Sequence, residues 1–402
     1  MRARFLPALA SLAFALTPLC AAASGPHVTP LGQFTGTDSP FLFGDAVAIS
    51  QDGSTAAVGG PYGNGTAGEI YVYEKPAGGW GSMTQTARLH PTSQCLLGGP
   101  LAISADGGTI ASFAGACSGG GYLGYSWMQV FVRPADGWHD TAEPTAILSL
   151  PGAVQYNYLG LYMGMSEDGE TIIATGYFPG VHRSILFLFN KPAGGWTNMA
   201  TSSSRYLLSD HATEPEAVAI NGRTVAVTNR ADLTVHVYHR YSKGLVEVAT
   251  LSPSDAAGFC CSLTLSAEDI LVQGYASGSG SGKVYLFARP STGWASATET
   301  AQFSAPNLGS FANFGSAISI SGKNLLIGGA NTSAAYLYIE PSGGWQTTSQ
   351  PDVTLLSTDP NQMNFGGYVA IVGTTLVVAD ATANTSVNGD TLGEAFVYAL
   401  HY

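Results

Sequence analysis

FGDAVAISQDGSTAAVGG, residues 43–60, decides the fold. An apolar run, a Gln51-Asp52-Gly53 turn and a second apolar run make a β-hairpin. The pattern returns as LGGPLAISADGGTIASFA from Leu97 and LGLYMGMSEDGETIIATG from Leu159. Shorter copies follow as AVAINGRTVAV from Ala217, FCCSLTLSAEDILVQG from Phe259, FGSAISISGKNLLIGG from Phe314 and FGGYVAIVGTTLVVAD from Phe365. Seven such hairpins in one chain predict a repeat architecture, in which a single continuous core grows by adding units.

Outward from each hairpin comes an alternating third strand: EIYVYEK from Glu69, QVFVRP from Gln129, ILFLFNK from Ile185, VHVYHR from Val235, KVYLFARP from Lys283, AYLYIEP from Ala335 and AFVYAL from Ala395. A Gly-Trp turn follows at Trp80, Trp138, Trp196, Trp294 and Trp345, with Gly244-Leu245 in its place in the fourth unit. A fourth strand closes each unit, as in TARLHP from Thr86, TAILSLP from Thr145 and ATLSPSD from Ala249. First and second strands are apolar on both alternating sets, so they are expected to be buried on both faces, with the third strands alternating toward a rim. The fold class that follows is all-β: a seven-bladed β-propeller of four-stranded antiparallel blades. The last unit ends at Tyr402 after its third strand, and the segment from Val28 to Phe34 is expected to supply the fourth, closing the ring with an N-terminal strand.

The order Phe-Gly, apolar hairpin, Gly-Gly-Pro or Gly-Gly-Ala, Tyr-Val-Tyr, Gly-Gly-Trp resembles the bacterial FG-GAP repeat, related to the propeller of integrin α N-termini. Phe43-Gly44, Phe314-Gly315 and Phe365-Gly366 match in full, Leu97-Gly98 and Leu159-Gly160 in part, and the fourth unit has Pro215-Glu216 near that place. The resemblance implies adhesion-like binding. It also implies calcium loops between first and second strands, but here those are short turns with at most one carboxylate. Calcium needs six to eight oxygen ligands, so no metal and no cofactor is expected.

Residues 1–23 carry Arg2 and Arg4, an apolar run from Phe5 to Leu19 and an Ala21-Ala22-Ala23 cleavage site. They read as a signal peptide, leaving 24–402 as a single propeller in the periplasm or outside the cell. Without them 13 Lys+Arg face 27 Asp+Glu, an acidic balance that excludes nucleic acid as a partner. No later stretch is long and apolar enough to span a membrane, and a monomer is expected.

Ser50-x-Asp52-Gly53, Ser104-x-Asp106-Gly107 and Ser166-x-Asp168-Gly169 read as turns held by side-chain hydrogen bonds. Cys95 and Cys117 flank the second hairpin symmetrically about Asp106, which predicts a structural disulfide in an exported chain. For Cys260-Cys261 two readings stay open, a vicinal disulfide or two buried thiols. His236 and His239 are three apart on a strand and face opposite ways, so they do not chelate. No Gly-x-Ser-x-Gly or phosphate loop is present, and no residue is singled out as catalytic.

The connections between second and third strands emerge at the same end as the links between units. They and those links carry Tyr62, Tyr122, Tyr125, Tyr156, Tyr158, Phe178 and His182, a candidate surface for a sugar ring or a peptide. The expected function is a non-catalytic binding or scaffold module for a protein, peptide or glycan at this loop face. The alternatives are a carbohydrate-active enzyme (polysaccharide lyase or glycosidase) on a propeller frame, and a passive cell-surface structural protein.

Overall fold

A computed structural model of the protein describes residues 25–37, 42–61, 67–91, 95–117, 125–150, 158–178, 183–209, 216–242, 244–276, 280–309, 312–357, 364–382 and 393–402. The strands form seven sheets, each with a core of four antiparallel strands. Blade one runs Ala46–Ile49, Thr55–Gly60, Glu69–Glu74 and Ala87–Leu89, paired in that order. First strands of successive blades touch one another around a closed cycle, so the sheets stand radially about an axis as a β-propeller. Blade seven takes Tyr368–Val372, Thr375–Asp380 and Glu394–His401 from the end of the chain and His27–Thr35 from its beginning. The closing strand pairs antiparallel from His27 opposite His401 to Phe34 opposite Ala395, with a bulge at Pro30–Gly32.

Burial departs from the sequence expectation in one respect. Not all third strands alternate between core and solvent: Glu69–Glu74 and Ala334–Ile339 are buried at every position but the last, whereas Thr234–Tyr241 and Glu394–His401 begin with the expected alternation. First strands are the half-exposed ones, as in Ala46–Ile49 and Val218–Asn221, because one of their edges lines the axis. A third strand has an apolar neighbour on each face, so its period-two pattern separates two kinds of packing. Tyr71 and Tyr73 pack with Phe34 and Val397 of blade seven, whereas Ile70 and Val72 pack with Leu97 and Ile110 of blade two. Phe187 and Phe189 face Met128 and Leu148 of blade two, and Leu186 and Leu188 face Val218 and Val225 of blade four. Tyr336 and Tyr338 likewise face blade five, and Ala335 and Leu337 face blade seven. Large rings point to the preceding blade and smaller side chains to the following one. Fully burying one such side chain stabilises the fold by about 1.5–3 kcal/mol. Two of the ring hydroxyls are satisfied across the interface, Tyr73 donating to the Thr35 carbonyl at 3.0 Å and Tyr338 to that of Ser304 at 2.5 Å, while Tyr71 donates to Glu69 of its own strand.

Phe-Gly recurs for a backbone reason. Gly44, Gly98, Gly160, Gly315 and Gly366 all have φ between 88° and 96°, where an L side chain is strained. A Cβ on Gly98 would lie 2.3 Å from the Glu69 carbonyl oxygen, and one on Gly366 would lie 2.2 Å from that of Ala334. At this point the chain enters a blade while pressed against the blade before it.

The Gly-Trp turns also act between blades. Trp80 meets Phe34 of blade seven edge-on, with ring centroids 5.4 Å apart, and Trp345 meets Phe303 of blade five at 5.6 Å. Beyond each tryptophan the chain pairs in parallel with the outer edge of the preceding blade, as Thr141 with Leu89, Met199 with Leu148, Ala297 with Leu251, Thr348 with Phe303 and Met83 with Phe34. The side chain two residues after the tryptophan accepts a backbone N–H from that edge: Ser82 from Gln33, Asp140 from Arg88, Asn198 from Ile147, Ser296 from Thr250 and Thr347 from Gln302. Trp-x-polar is therefore a seam between neighbouring blades.

Candidate functional site

At the end of the ring where first strands turn into second strands, the axis opens into a cavity of about 910 Å³. Its wall comes from the ends of the first strands, among them Ile49, Ile103, Met165, Asn221, Leu265, Ile320 and Ile371, and it extends outward between blades five and six to Trp345. The turns at its rim are fastened by their own side chains. Ser50, Ser104 and Ser166 donate hydroxyls to Asp52, Asp106 and Asp168 at 2.5–2.6 Å, and each serine oxygen accepts the N–H of the following Thr55, Thr109 or Thr171. The Ser104 hydroxyl and the Gly108 N–H hold the Asp106 carboxyl below the ordinary carboxylate range. Neighbouring turns are linked as well, since the Asp52 N–H donates to the Ala105 carbonyl and the Ala105 N–H to that of Glu167.

The charged groups of the cavity lie toward blades five and six: Glu268, Asp269, Arg289, Lys323 and Glu340, with Glu167 across the axis. Burial pushes the Asp269 carboxyl up to about 6, against the Trp345 indole, which hydrogen-bonds it and lowers it; Glu340 adds a repulsion that raises it. Asp269 opens the second strand of blade five, and its backbone N–H donates to the Ser266 hydroxyl oxygen as the Thr55 N–H donates to that of Ser50 in blade one. It is only 6% exposed. This carboxylate is thus part of the turn and of the seam to blade six. A second shifted carboxyl, Glu216, lies at the other end of blade four. Burial raises it to about 7, although the Arg230 N–H and the Thr228 hydroxyl both donate to it. In the sequence Glu216 stands out only as one of the available carboxylates of the fourth unit, beside the missing Phe-Gly, and nothing marks Asp269, because each shift comes from burial in the folded ring.

The candidate loop-face residues are not brought together by the described part of the chain. Tyr62, Tyr122, Tyr156 and His182 lie outside the described residues. Tyr125, Tyr158 and Phe178 are described only as strand positions, at the ends of Tyr125–Val132, Tyr158–Met165 and Thr171–Phe178, and their side chains are outside the description. Cys95 is buried and disulfide-bonded. The side chain of its expected partner Cys117, like those of Cys260 and Cys261, lies outside the described atoms. His236 bonds the Glu247 carboxylate at 2.8 Å while His239 packs on Tyr241, so the two rings serve separate contacts. Among the described residues no helix is long and apolar enough to cross a membrane.

Radial blades, a closed ring and an axial cavity define the class, a seven-bladed β-propeller. The chain is similar to the WD40 domain of Toxoplasma gondii coronin, at 12% identity and a TM-score of 0.56 over 94% of this chain and 86% of that one. It is also similar to a candidate 6-phosphogluconolactonase of Bacteroides fragilis, at 14% identity and a TM-score of 0.50 over 75% of this chain and 81% of that one. At such identities the likeness is one of fold. No family model matches the chain, and no curated protein matches its sequence.

Proposed function

We propose that this chain is an exported propeller of the FG-GAP type, running from 24 to 402 after removal of a signal peptide, and that it works as a monomeric binding or scaffold module. Its ligand is a protein, peptide or glycan, taken at the loop face of blades one to three by Tyr62, Tyr122, Tyr125, Tyr156, Tyr158, Phe178 and His182. A disulfide between Cys95 and Cys117 holds the second blade's hairpin at that end. The observation that most favours binding over catalysis is the engagement of Asp269: the cavity carboxyl that is pushed up is nearly buried and bonded to frame residues Trp345 and Ser266. A catalytic acid needs a face open to substrate. The regular use of positive-φ glycine after Phe or Leu supports the FG-GAP assignment.

The test is a glycan and surface-protein array probed with the mature chain and with the Tyr122→Ala/Tyr125→Ala/Tyr158→Ala variant. A ligand bound by the wild type and lost in the variant is the expected result; equal binding by both removes the proposed face. The carbohydrate-active alternative is favoured by the grouping of Asp269, Glu268 and Glu340 in one cavity. Polysaccharide cleavage that disappears in Asp269→Asn, with melting unchanged, would establish that alternative instead.

A further inference from the structure

Five of the seven blades have the outer edge of the fourth strand covered by the segment that follows the next blade's tryptophan. Blades three and six do not: blade four has the hairpin ending in Gly244–Leu251 instead of a Gly-Trp turn, and blade seven takes its fourth strand, His27–Thr35, from the front of the sequence, so no Gly-Trp turn joins its third and fourth strands. Their fourth strands, Ser204–Ser209 and Val353–Leu356, are the outermost of their sheets, and no described segment pairs with their free edges.

Register makes the comparison specific. Ser203, Thr300 and Asp352 enter the fourth strand in the same way, each donating its N–H to the third strand, at Leu188, Leu286 and Leu337. Arg205 and Leu207, like Thr354 and Leu356, therefore stand where Gln302 and Ser304 stand in blade five. There the Gln302 N–H meets the Thr347 hydroxyl, the Ser304 N–H meets the Thr348 carbonyl, and the Gln302 carbonyl receives the Thr348 N–H. The residue at the Ser304 position is polar at all five covered edges: Thr35, His90, Ser149, Ser252 and Ser304. At both open edges it is leucine, with Leu207 53% and Leu356 67% exposed. An unpaired strand edge beside an exposed leucine is a template for an added strand.

We propose that the free edges of blades three and six dock an extended segment of a partner polypeptide. The segment adds in parallel to the fourth strand and offers a side-chain acceptor (Asn, Asp, Ser or Thr) to the first free N–H. Its next residue forms the two backbone bonds, and an apolar side chain beyond covers the leucine. The five internal seams define this chemistry, as Asn198-Met199 does on blade two. The partner need not carry the tryptophan, whose place is taken by Leu245, its N–H bonded to the Tyr206 hydroxyl, at blade three and by buried Leu400 at blade six. The proposal is independent of the loop-face reading, since these edges lie on the rim.

The probe is the peptide TNMATSS, residues 197–203, at millimolar concentration, read by backbone amide hydrogen exchange with mass spectrometry on the whole mature chain. Exchange in 204–209 and 353–356 is expected to slow by at least about threefold, with the covered edges unchanged. The same peptide with proline for methionine, which lacks the bridging N–H, is expected to give no protection. Because Leu207 and Leu356 are exposed, the Leu207→Lys/Leu356→Lys variant should melt like the wild type and lose the effect. Absence of protection in the wild type overturns the proposal, as does protection that survives both the proline peptide and the lysine variant.

Discussion

Gly98 shows how a single atom fixes the entry into a blade. It combines a φ of 92° with a Cβ position 2.3 Å from a backbone oxygen that no rotamer can move. Gly98→Ala is expected to cost about 2 kcal/mol or more, read as a lower denaturation midpoint, whereas Gly53→Ala, also at positive φ but in open space, should cost less. Glu216 makes a prediction of another kind. Its carboxyl is raised on folding from the ordinary range to about 7, so between pH 5 and 7 the folded state holds a proton that the unfolded state has released. The associated stability is present at low pH and is lost as pH rises toward 7, by up to about 3 kcal/mol. Urea midpoints measured from pH 5 to 8 should fall for the wild type and fall less for Glu216→Gln; parallel curves would refute the assignment.

Among the elements, the seams rather than the sheets carry the new information. Trp196 is nearly buried in the cluster between blades two and three and donates its indole N–H to the Gly169 carbonyl at 3.1 Å. Trp196→Ala is expected to cost about 3–5 kcal/mol, and Asn198→Ala about 1 kcal/mol through the lost bond to Ile147; thermal melting of both variants checks the order. Strands, turns and the tryptophan periodicity were legible in the sequence because each is a local pattern. The burial of the third strands was not. In EIYVYE, 69–74, alternation of aromatic and aliphatic side chains looks like alternation of core and rim until both faces are seen to be covered. The cavity group Asp269 escaped for a related reason: burial in the folded ring pushes its carboxyl up, against a bond from a tryptophan 76 positions away.

For the whole molecule, closure was legible too, since a last unit lacking a fourth strand and an unassigned strand at the front complete each other. Removing 24–36 is expected to cost several kcal/mol, because it strips Glu394–His401 of the partner on its outer edge and Trp80 of Phe34. Aggregation on size-exclusion chromatography and a lower melting point are the expected readout, and a soluble deletion with unchanged melting would contradict the role of that strand. The stacked rings of His27 and His401, 5.0 Å apart, mark where beginning and end meet. That meeting sets an order of events. At roughly 5–20 residues per second of synthesis, the first strand made waits on the order of 20–70 s for the last one. Throughout that interval its antiparallel edge has no partner, and only the short parallel pairing with Met83–Thr84 is within reach, so a young chain is most vulnerable at its oldest strand.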